Sequence, residues 1–333
     1  MIEHIGIVIG KFMPLHAGHI ALIRFAAERC TRVLISVDGQ PDHPIPVDTR
    51  AEWIRKTFAD DPRIEVHATD EPLPDDPVPS RAVSSIWAEY LKRRFPQATA
   101  IVSSETYGDY VAEYMGISHI PFDPDRAANP VSGTAVREHP FRHWHLIAPA
   151  ARSYFAQRVC IYGPESTGKS VMTEYLARRF KTTFVPEMAR ELLAERGVAG
   201  LVREDFAAIG ELHARDILRR TPEANRILFV DTDHITTKIY ARHYFDFTPD
   251  FPAWIEEANR YGLYLFLDID VPWIEDPQRD SWHCREEHRA LFLGELERAH
   301  LPHVVISGSW EERNRKAVAA VLERWPDMEF NGS

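Results

Sequence analysis

The chain is short of cysteine, of basic charge and of long apolar runs, and each shortage closes off a class of protein. Its three cysteines, Cys30, Cys160 and Cys284, stand far apart among 333 residues with no CxxC spacing. That excludes a disulfide framework and points to a reducing compartment, so the expected location is the cytoplasm. Basic residues number 39 against 50 acidic ones, a net charge of −11. Such a balance argues against a broad nucleic-acid footprint, although local basic clusters can still hold phosphates. No apolar run approaches the ~20 residues of a membrane-spanning helix. The N-terminus runs almost directly into the apolar stretch Ile5–Ile9 without a signal-peptide layout. No internal repeat is visible.

What is present fits two soluble domains: 44% of the residues are apolar and 27% charged. The first half alternates short β-rich runs (His4–Ile9, Val33–Val37, Ile64–Val66, Thr99–Val102, His119–Pro121) with helical stretches at Ile20–Ala27, Thr49–Phe58 and Val83–Phe95. Alternation of this kind predicts an α/β fold on a doubly wound parallel sheet, with ligands at the C-terminal strand ends. The pattern then restarts with Val159–Tyr162, Thr183–Val185, Ile227–Val230, Tyr264–Leu267 and Val304–Ile306. The expected domains are residues 1–150 and 155–333. The Pro- and acid-rich stretch Asp70–Pro79 reads as an exposed loop and a candidate lid.

Two phosphate-handling patterns follow apolar strands, one in each half. The first runs from Gly10 through Lys11, Phe12 and His16 to Gly18 and His19. His16 and His19 lie three apart at the start of a predicted helix, where both rings can face its positive end. Gly10 and Gly18 allow close backbone approach, and Lys11 adds a mobile charge. Attack on an α-phosphate by an already anionic phosphate needs alignment and charge neutralisation rather than a general base. A second cluster, Ser132-Gly133-Thr134-Ala135-Val136-Arg137, offers a helix cap, two hydroxyls and a guanidinium for the same anion; taken alone, Ser132 and Thr134 read as ordinary helix capping.

Gly10–His19 resembles the GxFxPxHxGH motif of the nucleotidyltransferases, and Ser132–Arg137 resembles its SxTxxR partner. The Lys-Phe-x-Pro-Leu-His form looks like nicotinamide mononucleotide (NMN) adenylyltransferases. Ser104–Asp109, Asp123–Arg126 and His143–His145 resemble the bifunctional NadR-type family, in a form without an N-terminal helix-turn-helix. The resemblance covers nearly the whole chain. It implies that His16 and His19 hold the ATP phosphates, with His19 tied most closely to the transition state, and that Ser132, Thr134 and Arg137 grip them from the other side. A flat cationic nicotinamide calls for a stacking aromatic. Trp87 and Trp53 are the candidates, against the alternative that each packs in the core, and Arg50 is a candidate for the NMN phosphate.

The second pattern, Gly163-Pro164-Glu165-Ser166-Thr167-Gly168-Lys169-Ser170, satisfies GxxxxGK[ST] between a predicted strand and helix. Its backbone N–H groups would cradle the β-phosphate, Lys169 would bridge β and γ oxygens, and Ser170 would hold Mg²⁺; Val171, next in line, carries no role. Phosphorylating a hydroxyl also needs a carboxylate near the γ-phosphate. Asp231 looks like the Walker-B-type metal ligand. Glu187, with Arg190 beside it, sits where small P-loop nucleoside kinases keep their substrate carboxylate, and Asp233 is the runner-up; the alternative for Glu187 and Arg190 is a surface ion pair. Arg279 and Arg285, after the fourth strand, have the look of lid arginines. Their stretch carries Pro277 and Trp282 where relatives often have glycine. His139, His143 and His145 give no clean metal pattern.

Together these imply a bifunctional enzyme of NAD salvage. With Mg²⁺ and ATP, one domain would phosphorylate nicotinamide riboside to NMN and the other would adenylylate NMN to NAD. One alternative is a phosphopantetheine adenylyltransferase joined to a dephospho-coenzyme A kinase, which Met13 argues against because those enzymes usually carry Asp there. Another is an NAD-responsive regulator with one degenerate site. No nucleic-acid or membrane partner is expected. The oligomeric state stays open, a homo-oligomer among the options, as does the choice of nicotinamide or nicotinic acid forms.

Overall fold

The computed structural model describes residues 4–74, 80–123, 132–190, 200–272 and 285–328. It divides into two compact units, Met1–Arg152 and Ser153–Ser333. Each is built on a five-stranded parallel sheet. All ten runs expected as strands are strands. The point of division falls in a short helix, Pro149–Phe155.

In the first unit the strands β1 (Ile5–Gly10), β2 (Arg32–Asp38), β3 (Ile64–Thr69), β4 (Ala100–Ser103) and β5 (Ser118–Pro121) lie in the order β3-β2-β1-β4-β5. Helices α1 (Ala17–Arg29), α2 (Val47–Thr57), α3 (Arg81–Arg94), α4 (Tyr107–Met115) and α5 (Gly133–Glu138) join or follow them. The helix at the division is α6. A parallel sheet covered on both faces needs strands that are apolar throughout, and Ile5, Ile7 and Val8 of β1 are all buried. Gly6 has no room for a side chain, since a Cβ there would fall 2.6 Å from Cys30 Sγ. The order of the strands reverses between β1 and β4, so the crevice at their C-terminal ends is where a ligand fits.

The second unit repeats the plan with β6 (Gln157–Tyr162), β7 (Phe184–Val185), β8 (Ile227–Asp231), β9 (Leu263–Leu267) and β10 (His303–Ile306), in the order β10-β9-β6-β8-β7. Its helices are α7 (Lys169–Arg179), α8 (Arg203–Arg220), α9 (His234–Phe245), α10 (Ala253–Ala258), α11 (Arg285–Arg298) and α12 (Trp310–Arg324). Strands β8 and β9 are buried from end to end. Tyr162, Tyr264, Phe266 and Phe292 form the centre of one core cluster. The Tyr162 and Tyr264 rings meet edge to face at 5.6 Å. Emptying one such aromatic position, as in Phe292→Ala, costs about 3–5 kcal/mol. Asp233 caps α9 through Thr236 N–H, and Ser309 with Glu312 forms a capping box on α12. No described helix is long and apolar enough to cross a membrane.

Candidate active sites

The first unit holds a cavity of about 700 Å³ at the C-terminal ends of β1, β2, β4 and β5. Gly10, Lys11, Phe12, His16, Gly18 and His19 line one side of it, and Ser132, Thr134 and Arg137 line another. His16 caps α1, its Nδ1 accepting from Gly18 N–H at 3.1 Å. The neutral ring therefore keeps its proton on Nε2, as a donor. His19 lies one turn on, with ring centroids 3.8 Å apart at a 30° tilt, and meets Phe12 edge-on at 4.9 Å. The two sequence clusters are stitched together by backbone: Arg137 donates to the Met13 carbonyl at 2.9 Å. Gly133 approaches so closely that a Cβ would lie 3.2 Å from the same carbonyl oxygen. Further along the chain, Ala148 N–H donates to the Leu15 carbonyl at 3.0 Å, and His16 forms an isolated antiparallel bridge with Ile147. Ser132 Oγ accepts from Ala135 N–H at 3.2 Å, so it caps α5 while facing the cavity.

In the second unit the loop after β6 wraps tightly. Gly163 has φ +139° and Gly168 φ +86°, both left-handed. A Cβ on Gly163 would fall 2.7 Å from the Leu267 carbonyl oxygen, and one on Gly168 would fall 2.1 Å from Trp310 Cη2; only glycine fits either place. Thr167 Oγ1 and Lys169 Nζ both donate to the Pro164 carbonyl at 2.9 Å. Ser170 Oγ donates to Asp231 Oδ2 at 2.5 Å, while Asp231 Oδ1 is buried with no hydrogen-bond partner among the described residues. Burial first, and then the charge of Glu187, push the Asp231 carboxyl up to about 6, against the pull of Lys169 and Ser170. Next to the loop lies a small cavity of about 70 Å³, bordered by Glu165, Glu187, Asp233, His213, Tyr240 and Tyr244 among others. The Tyr240 and Tyr244 rings are nearly parallel, 6.1 Å apart. His213 is buried, and burial lowers its pKa.

A cytidylyltransferase-like family model matches residues 7–139, and an AAA domain model matches residues 158–313. Over 297 residues the chain is 30% identical to the trifunctional NAD biosynthesis/regulator protein NadR of Salmonella typhimurium, spanning 83% of this chain and 72% of the relative. The chain belongs to the NadR family. It is also 29% identical over 342 residues to the protein of that name from Escherichia coli, covering 96% of this chain and 83% of that one. A crystal structure of NadR in complex with NAD and AMP-PNP is similar over 97% of this chain and 96% of the other, with a TM-score of 0.79 and 25% identity.

Several expected roles change when this NadR-family chain is seen folded. Arg50 does not reach the cavity. It is wholly buried, and its guanidinium donates to the carbonyls of Ile45 (2.9 Å), Lys11 (2.5 Å) and Asp38 (2.7 Å). Trp53 is also buried and lies away from the cavity lining, so it is core. Trp87 is half-buried, lines the cavity, and donates from Nε1 to the Pro74 carbonyl at 3.0 Å. Asp233 is engaged in three hydrogen bonds: Oδ1 accepts from Thr236 N–H (2.9 Å) and Oγ1 (3.1 Å), and Oδ2 from Tyr264 O–H (3.1 Å). Glu187 is paired with Arg190 at 2.8 Å and borders the small cavity, so the ion pair and the cavity position coexist. Arg285 donates to the Val271 carbonyl at 3.0 Å and lines neither cavity; Arg279 lies outside the described residues.

Sequence reasoning assigned no role to Asp38, Tyr107 and Phe122 in the larger cavity, or to Phe206, His213, Tyr240 and Tyr244 in the smaller one. Of these, Tyr107 fell within the stretch Ser104–Asp109 that carried the family resemblance. The others come from strand ends and helix faces that give no local signal.

Proposed function

We propose that this NadR-family chain is a bifunctional enzyme of NAD salvage. Its C-terminal unit transfers the γ-phosphoryl group of ATP to nicotinamide riboside, and its N-terminal unit joins the resulting NMN to the adenylyl group of a second ATP, releasing pyrophosphate. The observation that carries this reading is the presence of two complete phosphate loops of different kinds, each at the C-terminal end of the central strand of its own parallel sheet. Membership of a family named for NAD biosynthesis supports the pyridine substrate.

In the N-terminal unit the NMN phosphate attacks the α-phosphorus of ATP as an oxyanion, so no proton has to be removed. His16, His19, Lys11 and Arg137 converge on one cavity and neutralise the charge that builds on the triphosphate. Ser132 and Thr134 add hydroxyl donors, and Trp87 offers its face to the nicotinamide. In the C-terminal unit Glu187 orients the riboside hydroxyl and takes its proton. Lys169 must leave the Pro164 carbonyl to reach the phosphates. Ser170 Oγ and Asp231, whose second oxygen is buried without a partner among the described residues, form an all-oxygen donor set that fits Mg²⁺. A bound Mg²⁺ would spread the charge of the triphosphate in either unit. The buried free thiols Cys30 and Cys160 support a cytoplasmic location, and the charge of −11 supports small-molecule rather than nucleic-acid partners.

The test is product analysis after incubation with Mg-ATP and nicotinamide riboside alone. NAD should accumulate through an NMN intermediate. NMN without NAD would reject the N-terminal assignment. If the riboside is not consumed, the kinase assignment falls, and NMN and then phosphopantetheine are the next substrates to try.

A further inference from the structure

Arginine side chains seldom lie wholly inside a protein, because an uncompensated buried charge is expensive. Yet the two largest fully buried side chains among the described residues are both arginines, Arg50 in the first unit and Arg313 in the second. Each is an all-donor fork with its hydrogen bonds directed mainly at backbone. Arg50 donates to Ile45, Lys11 and Asp38 carbonyls and meets His43 Nδ1 at 3.3 Å. Arg313 donates to the carbonyls of Gly308 (3.1 Å), Thr167 (3.0 Å) and Asp268 (2.7 Å), and to the Asp270 carboxylate. One carbonyl in each set belongs to a phosphate loop: Lys11 and Thr167.

A trans peptide is planar, so the C=O of one residue and the N–H of the next point in opposite directions. Pinning the Lys11 carbonyl on Arg50 therefore turns the Phe12 N–H away from the core, and Lys11 and Phe12 both line the larger cavity while Arg50 does not. Pinning the Thr167 carbonyl on Arg313 does the same for the Gly168 N–H. Neither amide has a hydrogen-bond partner among the described residues. Both residues have left-handed backbone, Phe12 at φ +49° and Gly168 at φ +86°. For Phe12, which has a side chain, that conformation must be imposed from outside. Unsatisfied amides beside left-handed residues are the elements from which anion-binding nests are made. Arg137 supplies a contrast: it too holds a loop carbonyl, that of Met13, but the next residue is Pro14 and has no N–H to present.

We propose that Arg50 and Arg313 are positioning residues that act through the peptide plane: each locks one carbonyl of a phosphate loop inward and thereby presents a free amide, of Phe12 or Gly168, to a bound phosphate. The inference rests on reading both loops as phosphate sites, which the riboside-to-NAD assay on the wild-type chain tests separately. Arginine is required because a lysine keeps the charge but lacks the fork that holds several carbonyls at once.

Arg313→Lys is the clean test, because only one kinase substrate carries phosphate. In the full-length chain the KM for ATP in riboside phosphorylation should rise about tenfold, the worth of one hydrogen bond. The KM for riboside should move less than about twofold, and adenylyl transfer by the same molecules should be unchanged. Arg50→Lys should spare the kinase and raise the KM of a phosphate-bearing substrate in adenylyl transfer. An unchanged KM for ATP in Arg313→Lys overturns the proposal, and so does an equal rise for ATP and riboside, which would mean general loosening. If Arg313→Lys leaves the kinase unit unfolded, Asp270→Asn decides: it keeps the fork and weakens one anchor, so a smaller rise in the KM for ATP alone supports the proposal and no rise overturns it. In the wild-type chain, AMP-PNP should slow hydrogen exchange at the Gly168 amide, and exchange that ignores the nucleotide refutes the role given to it.

Discussion

Asp231 is held in a state that harms the fold, and replacing it should show by how much. The carboxylate is buried at the end of β8 with one oxygen unpartnered among the described residues, and its pKa is pushed up to about 6, against about 3.9 for an unfolded aspartate. A folded-state pKa above the unfolded one means the native chain prefers the protonated acid. The destabilisation is therefore absent below about pH 4, grows between about pH 4 and pH 6, and is complete above that. Two pKa units at about 1.4 kcal/mol each give roughly 3 kcal/mol at pH 7.5 and about half of that at pH 5. Asp231→Asn removes the charge and keeps the shape. In metal-free buffer it should stabilise the kinase unit by about that amount while abolishing riboside phosphorylation. The assay is urea unfolding read by hydrogen exchange in β6 and β8, so that this unit is followed by itself. Adding Mg²⁺ and AMP-PNP should invert the order, because only the wild-type chain gains binding energy. A variant that is less stable at pH 7.5, or a stability gap that is the same at pH 5 and pH 7.5, would refute the reasoning.

His19→Ala should abolish NAD formation from NMN and leave riboside phosphorylation intact, and Lys169→Met should do the reverse; loss of both activities in either folded variant would contradict two independent sites. Glu187→Gln should lower kinase turnover by two orders of magnitude or more with little change in the riboside KM. Asp233→Ala should instead destabilise the unit by about 1–2 kcal/mol through the lost cap on α9, with a modest effect on turnover; if it matches Glu187→Gln in turnover, the base has been misassigned. Trp87→Ala should raise the KM for NMN and leave that for ATP in place, and Trp87→Phe should recover most of the loss; an unchanged KM for NMN would make Trp87 a packing residue only.

The parts of this molecule that were legible in the sequence are those governed by local physics. Strands buried from end to end, such as β4, β8 and β9, must be continuous apolar runs and could be found by eye, while the partly exposed β3, β5 and β10 showed as shorter β-rich runs between helical stretches. Phosphate loops need a fixed order of donors with glycines among them, at left-handed positions in the case of Gly163 and Gly168, so both motifs were visible as strings. Arg50 and Trp53 failed for a physical reason: both lie on α2, and nothing in their neighbours along the chain tells which face of that helix turns inward. The same blindness hid Arg313, which lies 146 residues from the carbonyl it holds. Asp233 shows a third kind of limit. Its position after β8 suits catalysis as well as capping, and the hydrogen bonds to Thr236 and Tyr264, which show the capping role, come from residues that no local pattern pairs with it.

The bridge between His16 and Ile147, with the Ala148 amide on the Leu15 carbonyl, has a consequence for anyone who wishes to isolate the first unit. The recognisable family pattern ends at residue 139, and a gene fragment trimmed there would encode every motif residue of the adenylyl-transfer half. It would nonetheless strip the backbone partners from the residues that carry His16 into α1. A stop codon after Arg152 retains them. The minimal working piece is thus set by two main-chain contacts that no motif search would report.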